Sequence, residues 1–199
     1  YYDMSFMGLG TNILGYNHPD IEKKVIKIIK SGTMSTLNSV EEILLAEKLI
    51  SLHPWSEMAR FTRSGGEANA VAIRIARAAS GKDNVAICGY HGWHDWYLSS
   101  NITNKKSLDQ HLMNSTPIAG VPKNLKNTVF PFEYNNFQQL RAIVENKNIG
   151  TIKMEVKRNH EPTNNFLKKV RKLATDKNIV LIFDECTSGF RQTFGGLHK

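Results

Sequence analysis

Residues 179–190 read Ile-Val-Leu-Ile-Phe-Asp-Glu-Cys-Thr-Ser-Gly-Phe. An unbroken apolar run from Ile179 to Phe183 stops at two acids, Asp184 and Glu185. A run this short, with no polar alternation, predicts a strand buried on both faces in a mostly parallel sheet. Asp184 then sits where such a strand ends, and in open α/β sheets ligands gather beyond the carboxyl ends of the strands.

Working outward, the chain alternates strand and helix signals. Strands are expected at 58–62, 84–88, 128–132 and 150–156. Helices are expected at 67–79, closed by Gly81, and at 137–145 and 166–176. Upstream, Pro19 opens a stretch with Ile21, Val25, Ile28 and Ile29 at helical spacing. Ser39, with Glu42 three residues later, caps a second helix that Pro54 stops. The residues between 101 and 127 show little period. The fold class implied is α/β, a mainly parallel sheet with flanking helices. Residues 1–52 form an N-terminal helical segment and residues 53–199 the sheet-bearing domain.

The composition excludes several classes. The 199 residues are 41% apolar and 22% charged, as in globular chains rather than disordered ones. No run approaches the roughly 18 apolar residues of a membrane span. Lys and Arg outnumber Asp and Glu by 26 to 18, a net charge of +8. The bases are mostly lysines spread along helix-like stretches, which reads as solvated faces. No reader motif or basic–aromatic patch points to nucleic acid. Two distant cysteines, Cys88 and Cys186, give no disulfide framework and fit a reducing, cytoplasmic setting.

Three polar clusters follow expected strands: Ser64-Gly65-Gly66-Glu67, Tyr90-His91 and Asp184-Glu185. Two glycines at a helix start form a cup of backbone N–H groups suited to phosphate, or a tight turn with no ligand. A desolvated Asp184 wants a cation, or serves as a cap or in a buried ion pair. Glu185, its neighbour in an extended chain, points to the other face, which disfavours a metal pair. His91-Gly92-Trp93-His94-Asp95 offers metal-ligand types, but no second cluster completes a site, and a hydrogen-bonded aromatic loop explains it as well. Tyr90 offers a stacking face. Together these parts describe a planar, phosphate-bearing, cationic heteroaromatic ligand, the shape of pyridoxal phosphate.

The same residues resemble a family. GLGTNILGYNHPDI (8–21), FTRSGGEANAVAIRIARAASGKD (61–83), CGYHGWHD (88–95), GVPKNL with EYNNFQQLRAI (120–125, 133–143) and VLIFDECTSGFRQTFGG (180–196) match, in order, the blocks of class III (subgroup II) pyridoxal-phosphate aminotransferases. The branch containing glutamate-1-semialdehyde 2,1-aminomutase is the nearest in pattern. The resemblance implies the pyridoxal-phosphate-dependent transferase fold of type I, with residues 53–199 part of its large domain. It implies that Gly65 and Gly66 hold the cofactor phosphate with Ser64 nearby, and that Tyr90 stacks on the ring. Cys186, where the family usually has Val, would press on the opposite face. Asp184 would bind the pyridinium nitrogen, His91 would support the ring or Asp184, and Glu155 would stand behind them. No metal is implied. The implied reaction moves an amino group between a small-molecule amino donor and an aldehyde or keto acceptor in a homodimer.

Besides Cys186, this chain departs from the pattern in four places. Gly66 replaces the commoner Thr or Ser, Val156 replaces a Pro after Glu155, and the loop from 157 to 163 is shorter. The Schiff-base lysine of the family lies well beyond the Asp-Glu pair, and Lys199 is too close to Asp184 to be it. The chain is therefore expected to be an incomplete copy of a longer enzyme. The competing expectations are a catalytically incomplete interaction module on the same fold and a nucleotide-binding α/β domain.

Overall fold

The computed structural model describes residues 1–4, 7–34, 36–109, 111, 117–157 and 159–198. Lys199 and one residue of the 157–163 loop, Arg158, lie outside them, so the expectations placed on Lys199 and on that loop's length do too. The chain divides into two units, Tyr1–Arg60 and Phe61–Lys199.

Among its described residues the first unit carries two helices. α1 (Pro19–Ser31) starts on a proline whose missing N–H costs nothing there, with Asp20 and Glu22 in its first turn. α2 (Val40–Leu52) begins at Ser39, whose side chain accepts the Glu42 N–H at 3.2 Å. The expected 58–62 strand is absent: these residues join no ladder, and an alternating run becomes a strand only where a partner takes its hydrogen bonds.

The second unit is a four-stranded sheet in the order β2-β1-β3-β4, every pair parallel. Its strands are β1 (Asn84–Cys88), β2 (Val129–Pro131), β3 (Ile149–Glu155) and β4 (Val180–Asp184). α3 (Gly65–Ser80) precedes β1. The short α4 (Asp95–Leu98) and α5 (Ser100–Thr103) follow it, α6 (Phe137–Asn146) leads into β3, and α7 (Phe166–Asp176) leads into β4.

Strand alternation sends side chains to two separate cores. On one face Ala86, Cys88, Ile152 and Met154 pack with Leu140 and Val144 of α6 and with Phe166, Val170 and Ala174 of α7. On the other, Val85, Ile87 and Val129 pack with Ile73 of α3 and with Trp96, Tyr97 and Leu98. β3, central in the sheet, is buried along its whole length. β4 is not: Val180–Phe183 are half-buried because β4 is the edge strand, and the apolar run read as covered on both faces lies at a sheet margin instead. Ile182 packs on the α3 face while Leu181 and Phe183 pack on the α7 face.

Among the described residues no helix is long and apolar enough to cross a membrane. Phe166 is 1% exposed and joins α7 to the sheet. Phe166→Ala should lower the unfolding free energy by about 3–5 kcal/mol in urea titrations. A loss under about 1 kcal/mol would mean that α7 does not depend on this contact.

Candidate functional site

Parallel register brings the carboxyl ends of β1, β3 and β4 to one edge, with Cys88 opposite Met154 and Glu155 opposite Asp184. The chain leaves β1 through Gly89, at φ 108°, where a Cβ would overlap the Glu155 carboxylate. Only glycine combines that backbone angle with that approach. The turn lets the Tyr90 N–H donate to Glu155 Oε2 at 3.1 Å, and the Tyr97 hydroxyl donates to the Gly89 carbonyl at 3.0 Å. Tyr90 is half-buried, its ring edge-on to Tyr97.

Beyond this turn His91 is fully buried, with Nδ1 at 2.9 Å from Asp184 Oδ2 and Nε2 at 3.2 Å from the Cys88 carbonyl. Facing a carboxylate, Nδ1 is assigned the ring proton and donates. Of the two roles open to His91, the structure brings it to Asp184. Burial is the largest influence on the ring and pulls its pKa from 6.5 to about 4, against the opposing pull of Asp184.

Asp184 itself is 8% exposed. Oδ2 also lies 3.3 Å from Lys153 Nζ, and Oδ1 accepts the Cys186 N–H at 3.0 Å. Burial alone would raise the carboxyl pKa. The His91 bond, the Lys153 charge and the Cys186 N–H outweigh it and hold the group well below the usual carboxylate range. Lys153 is the residue that sequence reasoning missed. Thr151, Lys153 and Glu155 alternate with Ile152 and Met154, which suggests a polar, solvated face. The available signal was its place two residues before Glu155, which puts both side chains on one face of a strand flanked on both sides.

The third strand-end cluster opens α3. Ser64 caps the helix, its side chain accepting the Glu67 N–H at 3.3 Å, and Glu67 Oε2 accepts the Arg63 N–H at 2.8 Å. Gly65 and Gly66 are thus the first helical residues, whose N–H groups have no partner within the helix. A Cβ on Gly66 would lie 2.6 Å from His94 Cε1 and 2.8 Å from His94 Nδ1, so the imidazole fills the space a side chain would take. That Nδ1 is buried and without a hydrogen-bond partner. A Cβ on Gly65 would lie 3.6 Å from Cys186 Sγ, and one on Gly92 3.3 Å from Gly66 Cα. Gly65 therefore lies beside Cys186 and Gly92 beside Gly66, while Cys186 and His91 both bond to Asp184.

Ser64, Gly65, Gly66, Tyr90, His91, Glu155, Asp184 and Cys186 all stand at this edge of the sheet. The 91–95 segment splits its polar groups: His91 turns to Asp184, His94 covers Gly66, and Asp95 is exposed at the start of α4. Glu185 turns away from Asp184 and holds the following loop, accepting from the Leu197 N–H at 2.9 Å, the His198 N–H at 3.0 Å and the Ser188 hydroxyl at 2.8 Å.

His91 also makes stability depend on pH. Its folded pKa of about 4 lies below the unfolded 6.5, so the unfolded chain binds the extra proton between those values. This contribution is complete above pH 6.5 and is lost as pH falls toward 4, on the order of 3 kcal/mol in all. Urea unfolding at steps from pH 7 to 4 should show stability falling across that window, and less steeply in His91→Gln. Equal slopes in the two proteins would sink the assignment.

The chain matches the family model for aminotransferase class III over residues 1–197. It is 35% identical to the 3-aminobutyryl-CoA aminotransferase of Cloacimonas acidaminovorans, over 96% of this chain and 44% of that protein. It is 37% identical to the glutamate-1-semialdehyde 2,1-aminomutase of Campylobacter hominis, over 92% of this chain and 41% of that protein. An omega-transaminase from Sphaerobacter thermophilus superposes with a TM-score of 0.82 at 28% identity, covering 96% of this chain and 45% of the other. The chain thus spans a little under half the length of the relatives it matches. With that match along nearly its whole length, and with the parallel sheet and its loaded edge, the chain belongs to the class III aminotransferases, a pyridoxal-phosphate-dependent family.

Proposed function

We infer that this chain supplies the cofactor-holding part of a pyridoxal-phosphate-dependent transaminase or aminomutase. The reaction is transfer of an amino group between an amino donor and an aldehyde or keto acceptor, nearest in kind to glutamate-1-semialdehyde chemistry. The observation that carries this reading is Asp184, a buried carboxylate held ionised on the same sheet edge as the paired glycines that open α3. A carboxylate has about four acceptor positions. His91 and Lys153 take those of Oδ2 and the Cys186 N–H takes one of Oδ1. The position left on Oδ1 suits one further N–H donor.

The residues present fit the cofactor at both ends. The N–H groups of Gly65 and Gly66 and the unpartnered His94 Nδ1 suit a phosphate at the positive end of α3. Tyr90 and Cys186 would flank a ring between that end and Asp184. Bound there, pyridoxal phosphate supplies the carbonyl carbon that takes up the amino group and a protonated ring that draws off negative charge from the substrate's α-carbon. The protein's own part is to keep that proton at the ring nitrogen through Asp184, while His91 fixes the carboxylate's orientation from its dry side. Glu155 anchors the Tyr90 backbone and so sets the stacking residue.

A homodimer follows from the resemblance, and sedimentation of the protein measures it. Cys88 and Cys186 form no disulfide, which suits a reducing cytoplasm. Mutase and transaminase separate by assay: a mutase consumes glutamate-1-semialdehyde as sole substrate, while a transaminase needs a separate acceptor.

The deciding experiment is Asp184→Asn in the protein loaded with pyridoxal phosphate. Turnover should fall by about a hundredfold or more, while cofactor affinity changes by less than about tenfold, because the phosphate end supplies much of the binding. Near-normal turnover would leave Asp184 a structural cap and remove the basis of the reading.

A further inference from the structure

Lys153 is the charged group that the site does not obviously need. Its side chain is 1% exposed in the central strand, with Nζ 3.3 Å from Asp184 Oδ2. Lysine is almost never buried this far without a partner. Packing does not account for it, since an apolar residue of the same volume in place of a buried ion is often neutral or stabilising. What the ammonium adds is a cation on a carboxylate that already receives two N–H donors. The titratable groups facing Asp184 are His91 from the loop after β1, Lys153 and Glu155 from β3, and Cys186 from the turn after β4. Burial lowers the proton affinity of Lys153 and Asp184 restores part of it.

Resting on the cofactor reading above, we propose that Lys153 is a positioning residue for the ring end of the cofactor. With His91 it occupies Oδ2, so the ring nitrogen must dock on Oδ1. Its charge then shares the carboxylate with the pyridinium and weakens Asp184's hold on that nitrogen. The sign follows from Coulomb's law: two cations on one anion repel each other, and removing one tightens the other. Lys153 therefore sets how strongly the site prefers a charged ring over a neutral ring of the same shape.

The test compares two ligands, pyridoxal phosphate and its carbocyclic analogue with CH in place of the ring nitrogen. Both affinities are measured by titration of the wild-type protein, Lys153→Met and Lys153→Gln. The second variant keeps a donor to Asp184 but no charge, and so stands in if the first does not fold. The preference for pyridoxal phosphate over the analogue should rise on the order of tenfold in either neutral variant. A merely structural lysine would weaken both ligands alike, and an unchanged or reduced preference overturns the proposal. So does borohydride reduction that fixes the pyridoxyl group to Lys153, since its amine would then meet the aldehyde and not the far end of the ring. Wild-type protein that binds neither ligand sinks the cofactor reading and this proposal together. Binding with an unchanged preference sinks this proposal alone.

Discussion

Asp184 carries its charge into a place where water is nearly excluded, and the surrounding chain is arranged to make that tolerable. His91 reaches the carboxylate only because Gly89 turns the backbone where a side chain would strike Glu155. Lys153 reaches it because β3 and β4 run parallel in the register that sets Glu155 beside Asp184. The Cys186 N–H reaches it because the chain turns directly after β4. Taking away one partner of a buried pair costs about 3–5 kcal/mol, because the other charge is left alone. The chemistry and the stability of this edge are for that reason hard to separate.

Most of the fold was legible because local chemistry and tertiary packing agree. The α2 start follows from Ser39 and Glu42, and β1 and α7 fall where the apolar spacing puts them. Disagreement arises where an element depends on a partner. The 58–62 run has strand-like alternation but no ladder, and the apolar 179–183 run lies at an edge because topology decides coverage. Helix α3 starts two residues earlier than propensity suggests. The Ser64 cap and Glu67 secure a first turn made of two glycines, which spacing alone assigns to the loop.

The grouping of the candidate residues was legible at its backbone features and at Asp184, since glycines and acids just after apolar runs are unusual enough to single out. Lys153 was not, because a lysine in an alternating strand looks solvated until the helix covering that face is known. The part taken by His94 was likewise hidden. Where the resembling family commonly has Thr or Ser, this chain has Gly66, and the sequence records that only as a lost hydroxyl. In three dimensions the vacated space holds an imidazole whose Nδ1 has no partner. One polar group is exchanged for another across 28 residues of chain, an exchange invisible without the turn that joins them.

The alternation of β3 has a consequence for how the chain finds its structure. Thr151, Lys153 and Glu155 point to the α3 side, while Ile152 and Met154 point to the α6 and α7 side. Sliding β3 by one residue against either neighbour would push an ammonium and a carboxyl group into the apolar layer and deliver a methionine to Asp184. A shift of that kind is penalised twice, once by each face. The polar residues that serve the sheet edge therefore also act as a proofreading code for strand alignment, rejecting mispaired sheets while the chain is still assembling.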